Sequence, residues 1–151
     1  MSGNVSMRFV SSMEKVFPGK EPGRPIERIS ALKNERLNFQ LVVISLFERK
    51  GECKWKIKGA LASYARVRIV DFAKGYYNNR PDSDDYVIFH DCGVTLYPEI
   101  LRTPDYTDLS LYPDVFRALW ITVYAPEGLP AGEHDFTVEL CDWGSRWRRK
   151  H

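Results

Sequence analysis

The sequence lacks the motifs that mark nucleotide, metal and serine-hydrolase sites. It has no Gly-x-Gly-x-x-Gly, no phosphate-binding loop and no Gly-x-Ser-x-Gly, so dinucleotide, ATP and acyl-enzyme chemistry have no support. Neither His-Glu-x-x-His nor Cys-x-x-Cys occurs, and we predict no metal site and no cofactor. Asp82, Asp84, Asp85 and Asp91 lie close together without the spacing of a calcium loop, which favours a solvated acidic loop.

Cysteines are few, and no pairing pattern is visible among them. Cys53, Cys92 and Cys141 are an odd number with wide spacing, which fits free thiols in a reducing compartment, while one disulfide with one spare thiol stays open. The first residues have no signal-peptide pattern, and no run approaches the ~18 apolar residues of a membrane helix. We therefore expect a soluble, cytoplasmic chain.

The chain also lacks an excess of one charge. Its 22 basic and 20 acidic residues give a net charge of +2, so no nucleic-acid partner is expected. Hydrophobic residues make up 44%, a composition that folds. With 151 residues the chain suits one domain and falls well short of the roughly 250 residues of a (β/α)8 barrel.

The strongest structural signal is the stretch from Arg117 to Leu140. Apolar β-formers alternate in its first part, with Leu119, Ile121 and Val123 on one face, and again from Phe136 to Leu140. Two prolines in the connection cannot continue a ladder. We predict two strands joined either as a hairpin or as a sheet-to-sheet crossover.

Similar patterns predict further strands, and no segment shows the helical period of apolar residues. The predicted strands are Val5–Met13, Ile29–Leu32, Arg36–Leu46, the lysine-bearing edge strand Trp55–Lys58, and Ala65–Phe72. The fold class is therefore all-β: an antiparallel β-sandwich, Ig-like or jelly-roll-like, with a long irregular loop region. We predict one domain over 1–140 and a basic aromatic tail over 141–151, expected to be a truncated or altered end.

The irregular region is predicted between Ala73 and Phe116, with a short strand at Tyr86–Phe89. Loops of that length tend to be functional or to cover a neighbouring surface. Its tyrosines either pack the loop onto the sheet or stack on a sugar. The candidate residues for contact with a sugar or with another domain are Tyr76, Tyr77, Tyr86, Tyr97 and Tyr112.

Several stretches together resemble one known domain. They are Ser11–Pro18, Arg36–Val43, Leu111–Asp114, Arg117–Val123 and Pro130–Glu133. Their order and sequence resemble the N-terminal β-sandwich of the bacterial proteins that carry the uncharacterised domain family 4091, which are similar to glycoside hydrolase family 123. The resemblance covers roughly residues 9–140.

This resemblance implies that a (β/α)8 catalytic barrel normally follows the sandwich. In family 123 the barrel carries an Asp-Glu pair for substrate-assisted cleavage of N-acetylgalactosaminides. Neither is found after Leu140, so no catalytic residue is carried over to this chain.

Three functions remain open from the sequence. The first is a non-catalytic accessory sandwich of a glycoside hydrolase, packed against a barrel domain absent from this chain. The second is a carbohydrate-binding module that uses the loop tyrosines. The third is a structural domain that self-associates into a homo-oligomer.

Overall fold

A computed structural model describes residues 5–76 and 94–143. Its strands are β1 (Val5–Ser11), β2 (Arg36–Ser45), β3 (Cys53–Lys58), β4 (Ala65–Tyr76), β5 (Val94–Leu101), β6 (Arg117–Tyr124) and β7 (Thr137–Trp143). One 3-10 turn, Ala62–Tyr64, precedes β4. Every pair of these strands is antiparallel, which confirms the predicted all-β class. Across the described ranges, no helix has the length and apolar character needed to cross a membrane.

The strands form two sheets of unequal size. Five of them lie in the order β1-β2-β6-β4-β5, and β3 pairs with β7 in a second sheet. Strand β6 is central, because Leu119 lies opposite Leu41 of β2 on one side and Ile69 of β4 on the other. Since β6 and β7 belong to different sheets, their connection is the crossover, one of the two arrangements that the sequence predicted.

The main core lies between the two sheets. Leu119 and Ile121 of the large sheet are fully buried there, as is Cys53 of the small one, and Val138 of the small sheet is buried beside them. On β3 the residues that pack on this core alternate with lysines that face solvent. The two layers are therefore held together by apolar burial, as in a β-sandwich.

A second, smaller core covers the opposite face of the large sheet. Val42 and Val70 pack there with Val16, which lies in the segment after β1. The buried side chain of Gln40 holds that segment in place, since its Nε2 donates to the carbonyl oxygens of Ser11 at 3.1 Å and Glu14 at 2.7 Å. This double covering explains why β2 is apolar on both faces.

Residues 107–113, here called the strap, close one end of the sandwich. Arg49 and Leu111 exchange two backbone hydrogen bonds of 2.8 and 2.7 Å, and the N–H of Cys53 donates to the carbonyl of Thr107 at 2.8 Å. Leu109 and Leu111 are fully buried in the main core. The strap is thus part of the packed body, although it is not a regular strand.

Two sequence predictions are wrong in detail. The segment Ile29–Leu32 is not a strand: its two apolar ends are exposed, and Leu32 starts a turn in which the N–H of Glu35 donates to its carbonyl at 3.3 Å. The region after Ala73 is also more regular than predicted, because β4 continues to Tyr76 and β5 follows it. The predicted strand Tyr86–Phe89 lies outside the described residues.

The sequence pattern does not predict strand β5, because Pro98 lies inside it. Proline has no N–H to give to a ladder, so it argues against a central strand and is tolerated at an edge or a bulge. Here it has both, since β5 is the last strand of the sheet and the register shifts between the pairs Asp71↔Ile100 and Ala73↔Tyr97.

Candidate functional site

Charged side chains from neighbouring strands meet at one end of the large sheet. Asp71 of β4 receives two hydrogen bonds at Oδ2 from Arg102, which follows β5: Nε donates at 2.8 Å and Nη2 at 2.6 Å. Arg117, the first residue of β6, approaches the other carboxylate oxygen to 3.6 Å. These three residues are called the Asp71 cluster, and they tie β4, β5 and β6 together.

The cluster lies where the sheet changes its pairing. The last pair between β4 and β6 is Val70↔Ala118, and the register of β4 against β5 shifts directly afterwards. The N–H of Phe72 donates to Asp71 Oδ1 at 2.9 Å. Irregularities of this kind redirect side chains at the rims of sheets, and here the carboxylate is placed between two arginines.

Opposing effects set the charge state of Asp71. Burial alone would raise its pKa, but the hydrogen bonds from Arg102 and from the Phe72 N–H, with the nearby charge of Arg117, outweigh burial and lower the pKa. The hydrogen bond to Asp71 in turn raises the pKa of Arg102. The pair is therefore fully charged at neutral pH.

Arg117 is the most deeply placed member of the cluster. Burial lowers the pKa of its guanidinium, and the charge of Asp71 is the largest effect in the opposite direction. Its Nε is buried without a hydrogen-bond partner, while the guanidinium carbon lies 5.2 Å from the centre of the Phe72 ring. One carboxylate and one aromatic face therefore compensate this buried cation.

The charge state of Asp71 suits electrostatic positioning rather than general-acid chemistry. A general acid at neutral pH needs a raised pKa, whereas the pKa of Asp71 is lowered. Residues 5–76 and 94–143 contain no group of three or more His, Cys, Asp or Glu side chains that could hold a metal ion. Two charge-assisted hydrogen bonds from one guanidinium to Asp71 Oδ2 fix the geometry of the pair, so the cluster stabilises one end of the sheet and presents Arg102 at the surface.

The structure separates the tyrosines that the sequence nominated. Tyr97 of β5 packs inward: its ring centre lies 6.0 Å from that of Phe17, and a Cβ at Gly75 would approach the ring to 2.9 Å. Tyr112 lies on the strap and is 43% exposed, with Lys50 Nζ 5.9 Å from the ring centre. Its partners therefore differ from those of Tyr97.

Tyr77 and Tyr86 lie outside the described residues, and for Tyr76 only the backbone, at the end of β4, is described. Tyr106, which the sequence placed in the loop without nominating it, packs against the cluster, with the guanidinium carbon of Arg102 5.0 Å from its ring centre.

Sequence reasoning missed the Asp71 cluster. Asp71 and Arg102 are 31 positions apart in the sequence, and no spacing rule joins them. One signal was present: Asp71 interrupts an otherwise apolar continuation of β4, between Val70 and Phe72. A carboxylate at such a position predicts a cationic partner on a neighbouring strand.

A shallow depression lies on the second face of the large sheet. It has a volume of about 110 Å³ and is lined by Ser6, Arg8, Glu21, Val42, Ile44 and Phe116. Pockets for small-molecule ligands usually measure about 300–1,000 Å³. This depression is too small to enclose a sugar ring with its neighbours.

The fold places the chain in the class of antiparallel β-sandwiches. Within this class, a solved structure has a similar fold. The chain is similar to a family 123 glycoside hydrolase from Clostridium perfringens, with a TM-score of 0.64 at 9% sequence identity over 91% of this chain. It spans 24% of that hydrolase chain. At this identity the similarity shows a shared fold. No protein-family description and no curated protein matches the sequence.

Proposed function

We propose that this chain is a non-catalytic accessory β-sandwich of a glycoside-hydrolase-like protein, of the kind found at the N-terminus of the bacterial domain family 4091 proteins. In this proposal the sandwich packs against a catalytic (β/α)8 barrel that the present chain does not contain. Its contribution is to support and position that barrel.

The structural likeness to the Clostridium perfringens enzyme carries the proposal. That study concerns glycolipid glycan hydrolysis by a family 123 glycoside hydrolase, and the likeness takes in 91% of this chain but 24% of the hydrolase. Nearly the whole of this sandwich corresponds to about a quarter of the enzyme. We therefore expect the sandwich to be one domain of an enzyme of that kind. The sequence resemblance, which rests on different evidence, points to the same family.

The Asp71 cluster supports the same proposal. Its carboxylate is held by Arg102 and Arg117 with a lowered pKa, so it serves structure rather than proton transfer. Retaining and inverting glycosidases need two carboxyl groups about 5–9.5 Å apart across a cleft, and Asp71 faces two arginines instead.

An activity assay on the isolated chain tests this proposal. Aryl N-acetylgalactosaminides and aryl hexosides should be turned over no faster than in buffer. An unrelated β-sandwich protein purified in the same way controls for contaminating glycosidase. Robust hydrolysis that disappears on substitution of a single Asp or Glu would refute the accessory role.

Self-association is a second candidate, and strand β5 favours it. β5 forms an edge of the large sheet, and its side chains Leu96, Ile100 and Leu101 are at least 36% exposed. An exposed apolar edge strand can pair with another chain. Sedimentation velocity over a range of concentrations separates the candidates, since the accessory role predicts a monomer for the isolated chain.

A further inference from the structure

Exposed apolar side chains gather at the end of the sandwich that carries the strap and the Asp71 cluster. Leu46 is 62% exposed and Phe47 57%, and both follow β2 at this end. Monomeric proteins seldom leave such groups of side chains in water unless the surface binds something. The residues of this end surface are Leu46, Phe47, Ile100, Tyr106 and Tyr112.

The pairing of the strands places all of these residues at the same end. Ser45 bridges to Pro113 of the strap, which brings Leu46 and Phe47 beside Tyr112. In the last pair of β2 with β6, Val43 lies opposite Arg117, and Arg117 faces Asp71.

The β5 side of the surface joins the same end through Asp71. Asp71 lies opposite Ile100 and holds Arg102, which stacks on Tyr106. The end surface therefore crosses the sheet in strand order, from β2 to β5, with the charged cluster at its centre.

The fold fixes Leu46 and Phe47 in their exposed positions. The buried hydroxyl of Ser45 donates to the carbonyl of Phe47 at 2.7 Å and accepts from the N–H of Phe47 at 3.2 Å. A mobile loop tip would need no such clamp. A preorganised apolar pair loses little conformational entropy when a partner covers it.

The last described strand ends beside the same surface. Trp143, at the end of β7, lies opposite Cys53, and the N–H of Cys53 donates to Thr107 of the strap at 2.8 Å. A polypeptide attached after β7 therefore leaves the sandwich next to the strap. A domain joined after β7 would therefore be held near the end surface, at high effective concentration.

We infer that the end surface is the docking site of a folded domain that follows β7 in a longer polypeptide. The inference rests on the proposed accessory role and adds the place of contact. Phe47 and Tyr112 supply the apolar centre, and Arg102, which is 41% exposed, supplies a polar contact at its side. Tyrosine and arginine are the side chains that most often dominate such interfaces.

Binding measured between two separate polypeptides tests the inference. The full chain is titrated calorimetrically with the polypeptide encoded directly after it, expressed separately. Phe47→Ala and Tyr112→Ala should each weaken binding about tenfold or more. Leu32→Ala and Tyr64→Ala are matched controls and should leave the affinity unchanged. Both side chains are exposed, as Phe47 and Tyr112 are, and Tyr64 precedes β4 at the opposite end of the sandwich.

The outcomes separate this inference from the proposed function. If all four variants weaken binding equally, or if none weakens it, the end surface is not the docking site, but the accessory role stands. Absence of binding, or of an encoded domain, overturns both. A dimer of the chain alone that Phe47→Ala dissociates would assign the surface to a second copy and also overturn the inference. Unchanged circular dichroism and melting confirm that each variant is folded.

Discussion

Replacing Asp71 by Asn tests whether one carboxylate holds the end of the sheet together. The substitution keeps the size of the side chain and removes its charge. Arg102 then loses the charged acceptor of its hydrogen bonds of 2.8 and 2.6 Å. Arg117, whose side chain is 12% exposed, keeps a buried charge without its counter-ion, and its Nε already lacks a partner.

The expected loss follows from these contacts. Hydrogen bonds to charged groups contribute about 1.5–3 kcal/mol, and Asn retains part of this through its amide oxygen, so we expect a loss of about 1–3 kcal/mol at pH 7. For a chain of this size that corresponds to a fall in Tm of about 2–12 °C. The exposure of Arg102 keeps the loss below that of a fully buried pair.

The loss should depend on pH in one direction. The pKa of Asp71 is lowered in the folded protein, so its contribution is complete above the unfolded pKa of about 3.9 and disappears as the pH falls through the folded value. Wild type and Asp71→Asn should therefore differ fully at pH 7 and converge in acid.

Urea unfolding followed by tryptophan fluorescence, from neutral to acidic pH, measures this difference. Glu99→Gln is the matched control, because Glu99 pairs with Lys15 at 3.1 Å and both side chains are about half exposed; exposed pairs contribute about 0–1 kcal/mol. A difference between wild type and Asp71→Asn that is as large in acid as at pH 7, or no larger than that of the control, would refute the reasoning.

Two further predictions concern the backbone and the thiols. Gly59→Ala should lower the free energy of unfolding in urea by more than about 2 kcal/mol. Gly59 has φ +117°, and a Cβ there would lie 2.0 Å from the carbonyl oxygen of Asp135. The control Gly19→Ala should have little effect, because no atom lies within 4 Å of the added Cβ. Iodoacetamide at pH 8 should label the exposed Cys141 and leave the buried Cys53 unlabelled in the folded protein. The reason is that burial raises the pKa of the Cys53 thiol to about 12. Equal labelling of the two cysteines in a peptide map would contradict this prediction.

Alternation of apolar residues was enough to predict the central strands. β2, β4 and β6 pack on each other through Leu41, Ile69 and Leu119, and each of these residues belongs to a run of alternating side chains. Burial on one or both faces leaves that trace in the sequence. The sandwich class, which depends on these strands, could therefore be predicted.

The structure of the end that carries the Asp71 cluster could not be predicted from the sequence. Its contacts depend on which strands are neighbours and on a register shift beside Asp71, neither of which is local. The strap buries Leu109 and Leu111 without an alternating pattern long enough to predict a strand. Its exposed apolar residues also resemble loop residues until the sheet brings them together.

Pro98 interrupts the exposed edge that β5 gives to the large sheet. β5 is an edge strand with apolar side chains exposed, a combination that invites pairing between copies. Pro98 lies where the ladder is interrupted and shortens the regular edge. Proline on an edge strand is a common protection against such pairing.

Pro98→Val should therefore increase self-association. Valine restores an N–H and favours extended backbone, so the edge becomes longer and more regular. Sedimentation velocity should show a dimer or larger species that grows with concentration, while wild type remains monomeric under the leading proposal. Pro130→Val, in the exposed connection between β6 and β7, removes a proline without touching the edge and should behave as wild type. If the two variants sediment alike, Pro98 does not protect β5, and the folding of the chain must limit edge pairing in another way.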